Sequence, residues 1–548
     1  MATITGSEVL AKALRTQGVD TMFYIMGGPM LETEAACIQL GIRCIDTRHE
    51  QAAALAAHAW TRVMQRPGVA MGASGPGATN LLTGVANAFT DCAPMVAIGG
   101  SSPRVSLGME AFQEIDQVAV FKPVTKYAAR IYDAKRIPDM VATALREATS
   151  GRPGPVYLDL PGDVLGEKVE EDAVIYPAAW KPAPRTLGDP NAVREAIALL
   201  ARAERPVIIA GSGVWWSDGA RELQAFVEAT GILFYTTPIS RGLIPEDHAL
   251  AFLNARSTAF TEADVVLAVG TRFNWVIQFG RPPRFAADLK VIHVDVNGAE
   301  LGHNRPADVP IAGDAKAVLQ QLTAEAKGKL EPKKFAAWTG KLRVLDADKG
   351  SEQDKAMSKD ETPIHPLRLC KEVRDFLKRD AILVVDGQEI LNYGRQAIPT
   401  YVAGHRLNSG AFGCMGVGLP FGVGAKVAKP DTQVVVLHGD GSFGINAMEM
   451  DTAVRHKIPV LVVISNNGGW TADAPWTRPL PKPGRNLGYT RYDKIAQDLG
   501  AHGEFVEKPH EIRPALERAA ASGKPAVVNV ITDSKARATT VRFSAYST

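Results

Sequence analysis

The stretch from Val434 to Trp470, VVVLHGDGSFGINAMEMDTAVRHKIPVLVVISNNGGW, constrains the fold more than any other part of the chain. Two short runs rich in Val and Ile flank one helical pattern, and runs of this kind are parallel strands covered on both faces. Strand, helix and strand make a βαβ unit, whose crossover is almost always right-handed. Adjacent parallel strands then bring Asp440 and Asn467 to one carboxyl edge, where open α/β sheets hold ligands. An Asp carboxylate and an Asn carbonyl are hard oxygen ligands suited to Mg²⁺ or Ca²⁺. Gly439 and Gly441 let the backbone approach a ligand, and the free amides opening the next helix favour an anion such as a diphosphate. Asp-Gly and Asn-Gly taken singly are common surface turns. Together, on neighbouring strands, they point to a metal–diphosphate site.

A chain of 548 residues exceeds one hydrophobic core and divides into about three domains. With 46% apolar and 22% charged residues, its composition is that of an ordinary globular protein. The net charge of +2 gives no electrostatic case for a nucleic acid or an anionic membrane as partner. No apolar run reaches the length of a bilayer span, and the N-terminus shows no signal-peptide core. Thr5-Gly6-Ser7-Glu8 reads instead as a capping box. Cys37, Cys44, Cys92, Cys370 and Cys414 lack metal-ligand spacing and suit a reducing compartment. The terminal Tyr546-Ser547-Thr548 is not a peroxisomal address, so a cytoplasmic protein is expected.

Along the chain, Ile42 to Asp46 reads as a strand, Glu50 to Met64 as an Ala-rich helix, and Gly68 to Met71 and Met95 to Gly99 as further strands. Ser74-Gly75-Pro76-Gly77 is a Gly-rich turn opening a helix. A Pro-rich stretch from Tyr176 to Pro190 reads as a linker. The second block has strands at Pro206 to Ala210, Val265 to Gly270 and Val291 to Val296. Its Gly211-Ser212-Gly213 lacks the rest of a dinucleotide fingerprint and reads as an ordinary tight turn. Asp346 to Glu361 is charged, lacks periodicity and reads as a second linker. The third block opens with the strand Ile382 to Val385, which ends in Asp386-Gly387-Gln388. The fold class expected is α/β, with three doubly wound parallel-sheet domains over residues 1–175, 190–345 and 362–533 and a tail or lid over 534–548.

Gly-Asp-Gly followed at this interval by Asn-Asn resembles the cofactor motif of thiamine diphosphate (ThDP) enzymes of the decarboxylase and acetolactate synthase type. The resemblance makes Asp440, Asn467 and the Gly469 carbonyl the Mg²⁺ ligands, and assigns Gly439, Gly441, Ser442, Gln388 and Glu389 to the cofactor. Glu50, where a strand hands over to a helix, would on its own be an acidic residue favouring a helix N-terminus. The resemblance implies that its carboxylate bonds the aminopyrimidine ring and switches on the cofactor's own base. Asn408 to Gly416 would otherwise be a Gly-rich loop with Met415 as core filler. By resemblance Met415 wedges the cofactor into its bent shape and the Gly413 carbonyl holds its amino group, a gain of proximity.

Met109 to Gln117 (MEAFQEIDQ) and Gly270 to Phe285 (GTRFNWVIQFGRPPRF) resemble 2-hydroxyacyl-CoA lyases, whose relatives the oxalyl-CoA decarboxylases carry Tyr-Glu at Phe112-Gln113. The implied reaction cleaves a 2-hydroxyacyl-CoA to formyl-CoA and an aldehyde or ketone, and is reversible as a condensation. The neutral Gln113, with Phe112 beside it, would orient the substrate hydroxyl or carbonyl. Arg256, Arg395 and Arg406 lie in stretches resembling CoA-facing segments, and Arg537 and Arg542 in the tail would close over the thioester. After Asn-Asn-Gly the family often has Ile-Tyr, where this chain has Gly469 followed by Trp470, and a bulky indole near the acyl site leads to the expectation of a short or branched acyl group such as 2-hydroxyisobutyryl. The family's middle-domain Gly-Lys-Gly is Gly211-Ser212-Gly213 here, which weakens an ADP activator site at Arg152, Asp295 and Asp314. Relatives assemble their site between subunits, so a homodimer at minimum, and a homotetramer, is expected. The rival activities are an oxalyl-CoA decarboxylase and an acetolactate-synthase-like carboligase. From another class, a non-catalytic nucleotide- or flavin-binding protein would leave Glu50 and Asn467 without a role.

Overall fold

Residues 2–181, 184–471 and 483–538 are described by a computed structural model. Among these residues the chain builds three all-parallel sheets of six, five and six strands, plus one short antiparallel pair, Thr3–Thr5 with Lys168–Glu170. In the first sheet the strands lie in the order Arg43–Asp46, Thr21–Tyr24, Gly68–Gly72, Met95–Ser101, Pro155–Pro161, Tyr127–Arg130. The third sheet runs Arg406–Leu407, Ile382–Asp386, Val434–Gly439, Leu461–Asn466, Ala526–Ile531, His502–Val506. Numbered along the chain within each sheet, both orders are 2-1-3-4-6-5. The shared architecture is therefore a shared topology, although no sequence repeat announces it. Central strands such as Val434–Gly439 and Leu461–Asn466 are buried on both faces, which is why their sequences are unbroken apolar runs.

The first and third domains share one core. Helix Glu50–Met64 packs on helix Gly418–Ala428, and Ala53, Ala54, Ala56 and Ala57 are buried in a cluster that also holds Leu419, Phe421 and Val423. Ala and Gly allow this approach: a Cβ on Gly424 would lie 2.1 Å from the Ala56 carbonyl oxygen. The Ala-rich pattern is thus a helix enclosed nearly all round, which anchors Glu50 at its start.

Two segments differ from expectation. The interval between Asp440 and Leu461 carries two short helices, Asp440–Ile445 and Glu449–Arg455, because Asn446 leaves the helical ladder and its side-chain amide donates to the Gly416 carbonyl at 2.7 Å. The charged stretch from Asp346, expected as an irregular linker, is helical as far as Met357, the second half of a helix spanning Ala336–Met357. Only Trp338, Thr339, Leu342 and Met357 of that helix are buried, so it carries almost no apolar stripe to mark its period. No helix of the described residues is long and apolar enough to cross a membrane.

Candidate active site

In a 2-1-3-4 sheet the chain reverses its winding between the first and third strands, and the loops leaving those strands splay apart to form a crevice. In the third domain these strands are Ile382–Asp386 and Val434–Gly439, and a cavity opens there. Gly387, Gln388 and Glu389 line it from one loop, and Gly439, Asp440 and Ser442 from the other. Asn467, Gly469 and Trp470 arrive from the adjacent strand, whose register pairs Ser465 with Gly439. Met415 also lines the cavity. The sequence-derived ThDP and metal residues of the third domain, apart from Gly413, therefore meet in one place. Gly413 lies two residues from Met415, at φ +72° with open space where a Cβ would be.

The oxygen set is that of a hard cation site. Asp440 is 3% exposed, its Oδ2 has no hydrogen-bond partner among the described residues, and burial pushes its carboxyl up to about 6. The Asn467 amide reaches Gly469 O at 2.9 Å and Asp440 Oδ1 at 3.0 Å. An amide nitrogen placed there donates to both. An amide oxygen placed there completes three oxygens converging on one point, the arrangement a divalent cation neutralises. Gly469 holds its carbonyl in place because Trp470 N donates to Arg485 O at 2.8 Å, and any side chain at Gly469 would meet that oxygen at 1.9 Å. Among the described residues no three His, Cys, Asp or Glu side chains gather as a metal cage, so this one-carboxylate set is the candidate. Orphaned carboxylate oxygen, amide and carbonyl together fit Mg²⁺ beside a diphosphate.

The equivalent edge of the first sheet gathers the other half. Glu50 opens its helix half-buried, with Asn80 Nδ2 donating to Oε2 at 3.0 Å. Gly77, in the Ser-Gly-Pro-Gly turn, leaves the space beside it, since a Cβ there would lie 3.5 Å from Glu50 Oε1. Gln113 sits at φ +58° on the same edge, its Oε1 accepting from Ser74 Oγ at 2.6 Å. Behind the turn, buried Gln117 accepts from Gly75 N at 2.6 Å and donates to Tyr157 Oη and Asp159 Oδ1. Phe112 is 86% exposed. Ser74 and Gln117 stand in the sequence only as members of the Gly-rich turn and of the MEAFQEIDQ stretch, with no role of their own, and Asn80 in neither. The signal for Asn80 is its position, one turn into the helix that the Gly-rich turn opens.

Several expected ligand residues have other work. Arg406 is 2% exposed and donates to the Gly394 and Ile398 carbonyls at 2.8 and 3.3 Å, so it braces the end of helix Glu389–Ala397 and does not face a ligand. Arg537 turns back on its own segment, donating to Ser534 O and Ala536 O. The tail nonetheless reaches the cavity: Ala536 lines it and Ala538 N donates to Glu389 Oε2 at 2.9 Å. Arg542 lies outside the described residues. Of the three residues expected around a nucleotide, Arg152 of the first domain donates to Cys92 Sγ at 3.0 Å and pairs across to Glu300 of the middle domain at 3.5 Å. Asp295 accepts from Asn297 N, while Asp314 caps the helix Ala315–Ala326 and pairs with Arg185. Gly211 and Gly213 press on the backbone of Gly270, so that turn serves packing. Arg152 and Asp295 lie close enough for their charges to act on each other, and Gly313 N, next to Asp314, donates to Asp295 O at 3.0 Å.

Arg256 behaves differently. It has no hydrogen-bond or ion-pair partner among the described residues, and burial, followed by the charges of Arg395 and Arg284, lowers it to about 9. Arg395 is lowered too, by burial and by the charges of Arg241 and Arg284, and Arg284 is lowered by burial. Arg395 and Arg284 act on Arg256 through their charges, while Arg284 donates to Ser257 Oγ at 2.9 Å and Arg395 to Asn392 Oδ1 at 3.3 Å, so neither is paired with a carboxylate among the described residues. Arg395 lies seven residues along the helix that starts beside Gln388, about 10 Å from the cavity wall at the helical rise.

Residues 4–120 match the model of the thiamine pyrophosphate enzyme N-terminal TPP binding domain, 193–322 the central domain, and 391–530 the C-terminal TPP binding domain. The chain is 38% identical over 540 residues to the acetolactate synthase large subunit of Mycobacterium tuberculosis, covering 97% of this chain and 96% of that one. It is 36% identical over 552 residues to the 2-hydroxyacyl-CoA lyase of Arabidopsis thaliana, covering 97% and 96%. With the oxalyl-CoA decarboxylase of Escherichia coli K12 it shares 35% over 537 residues, covering 96% and 95%. Three matched domains in order, and relatives aligned from end to end, show that this chain belongs to the thiamine pyrophosphate enzyme family.

Proposed function

We propose that this protein is a ThDP- and Mg²⁺-dependent carbon–carbon lyase. It cleaves a 2-hydroxyacyl-CoA with a short or branched acyl group, for example 2-hydroxyisobutyryl-CoA, to formyl-CoA and an aldehyde or ketone, and runs the reverse condensation. The observation that carries the CoA part is the unneutralised cluster of Arg256, Arg284 and Arg395. A free 2-keto acid, the substrate type of a carboligase, has no phosphates for a cluster about 10 Å from the cavity, whereas a CoA thioester spans that distance with its pantetheine arm.

When bound, the cofactor supplies the nucleophilic carbon and the electron sink for breaking the C–C bond. Asp440, Asn467 and the Gly469 carbonyl hold the metal, and the N-terminal amides from Gly441 face the diphosphate. Glu50 holds a proton at the ring nitrogen, with Asn80 fixing the carboxylate. Gln113, oriented by Ser74, has its amide N–H₂ to offer the substrate oxygen.

The cavity-lining residues come from the third domain and, at Ala536, from the tail, with none from the first domain, which supports a Glu50 that reaches the cofactor of another subunit. The exposed apolar side chains on the two facing edges suit that assembly: Met26, Met109 and Phe112 on the first domain, Ile445 and Met448 on the third. We assign a homodimer as the minimal unit, a homotetramer as the full assembly, and the cytoplasm as its location.

The test is incubation with ThDP, Mg²⁺ and a series of 2-hydroxyacyl-CoAs, scored by mass spectrometry for formyl-CoA, with pyruvate alone as the competing substrate. Formation of acetolactate without formyl-CoA would overturn the reading. Arg256→Ala is expected to raise KM for the CoA thioester about 10–100-fold, the value of a lost charge-assisted contact. It should leave turnover of a phosphate-free thioester of the same acyl group unchanged, and an equal loss on both would remove Arg256 from the CoA path. Trp470 lines the cavity, with its ring 2.9 Å from where a Cβ on Gly441 would stand, and by the family resemblance it also bounds the acyl pocket. Trp470→Ala is expected to shift the ratio of kcat/KM between long straight and short branched substrates about 10-fold toward the long ones. An unmoved ratio would show that the indole does not set chain length.

A further inference from the structure

The segment that carries Glu50 is held by the third domain of the same chain. Glu449, 2% exposed, accepts from the backbone N–H of Arg48 and of His49 at 3.1 Å each, and from Thr452 Oγ1 at 2.6 Å. Those two peptide groups immediately precede Glu50. Flanking contacts fix the same stretch: Asp46 accepts from His456 at 2.6 Å and pairs with Arg455, and Arg48 lies 3.7 Å from Asp451. All four partners sit on or directly after the helix Glu449–Arg455. Asn446, just before that helix, is tied to the Gly416 carbonyl next to Met415.

Burying this carboxylate has a cost. It is pushed up to about 7 by burial, against the lowering effect of Thr452 and the two backbone donors. Core packing would be served as well by an apolar side chain, without that penalty. The two N–H groups stand at the N-cap His49 and the residue before it, ahead of the helical ladder that starts at Glu50, so the helix itself gives them no partner. A carboxylate satisfying them fixes the peptide planes leading into Glu50, and so the direction in which its side chain leaves the helix.

We propose that Glu449 is the positioning residue for Glu50, clamping the Arg48–His49 peptides so that the Glu50 carboxylate is held in line for the cofactor ring. The inference rests on the reading of Glu50 given above. Because Glu449 follows the metal-side helix in its own domain, the clamp also sets the metal-binding edge of each subunit in register with the carboxylate it contributes elsewhere.

The test uses the full-length protein with three variants, Glu449→Gln, Glu449→Ala and Glu50→Gln. In the cofactor-free protein, amide hydrogen exchange across residues 47–51 is expected to speed up at least about 10-fold in Glu449→Ala and by less in Glu449→Gln, which keeps one carbonyl acceptor and the side-chain volume. With ThDP and Mg²⁺ added, cofactor affinity should stay within about threefold of wild type. Exchange of the thiazolium C2 proton for deuterium should fall about 10–100-fold, the effect of a displacement of about 1 Å. Wild-type amide protection together with wild-type C2 exchange in Glu449→Gln and Glu449→Ala would overturn the proposal. If Glu50→Gln itself exchanges C2 at the wild-type rate, the role of Glu50 fails; slow exchange in Glu50→Gln beside fast exchange in Glu449→Ala removes Glu449 alone.

Discussion

Turnover is expected to fall about 10²–10⁴-fold when Glu50 is replaced by alanine, with ThDP and Mg²⁺ still bound. The magnitude separates catalysis from structure. As the first residue of its helix, Glu50 contributes about 0.3–1 kcal/mol through the helix dipole, and its bond from Asn80 adds about 1 kcal/mol. Losses of that size shift Tm by a few degrees and leave a folded enzyme with its cavity intact. They cannot supply the roughly 3–5 kcal/mol that a rate loss of 10²–10⁴ represents. Asn80→Ala, which frees the carboxylate without removing it, should cost far less than Glu50→Ala. Steady-state kinetics at saturating cofactor, together with a ThDP titration by intrinsic fluorescence, distinguish the cases. Undiminished kcat in Glu50→Ala would remove the carboxylate from the mechanism, and a fall in kcat explained wholly by lost ThDP binding would reassign it to the binding site.

Much of this arrangement is legible in the chain, for reasons that differ by residue. Asp440 and Asn467 are visible because a βαβ unit with short turns leaves no freedom in where the strand ends go; the register of Gly439 with Ser465 follows from the apolar runs alone. The Glu50–Met64 helix is visible from its Ala content, although the reason for that content, close packing on Gly424, belongs to the third domain and lies nearly 370 residues away. Glu449 leaves no trace in the sequence for the same reason: its partners are backbone amides some 400 positions distant, and a backbone donor has no residue type. The arginines divide on burial. Arg256 and Arg406 look alike as isolated basic residues, yet Arg406 is committed to two carbonyls while Arg256 has no hydrogen-bond or ion-pair partner among the described residues. Charge patterning cannot tell a carbonyl-capped guanidinium from an available one. The helix through Met357 was hidden because a mostly solvated helix needs no apolar stripe.

The second large effect is expected at Asp440, and its sign reverses between the empty and the loaded protein. Without cofactor the carboxylate is a liability, since it is buried, one oxygen lacks a partner among the described residues, and its ionised form is disfavoured enough to lift it to about 6. An unsatisfied buried group of this kind costs about 1–3 kcal/mol. Asp440→Asn, which removes the charge and gives Asn467 an amide to pair with, should therefore leave the Tm of the cofactor-free protein unchanged or slightly higher. With Mg²⁺ and ThDP present the order inverts. A ligand at 100 times its Kd stabilises the native state by about 2.7 kcal/mol, so wild type gains several degrees and the variant gains almost none. Turnover should fall at least about 10³-fold, because the metal that fixes the diphosphate end is lost and a contribution of about 4 kcal/mol goes with it. Asp386 provides the control: it is also buried and also raised to about 6, but both its oxygens accept backbone N–H groups, from Gly387 and Gly418. Asp386→Asn should lower the Tm of the cofactor-free protein, the opposite direction to Asp440→Asn. Thermal melts of the two variants with and without Mg²⁺–ThDP read all four values, and a full ligand-induced shift in Asp440→Asn would show that the converging oxygens at Asp440, Asn467 and Gly469 are not where the cation binds.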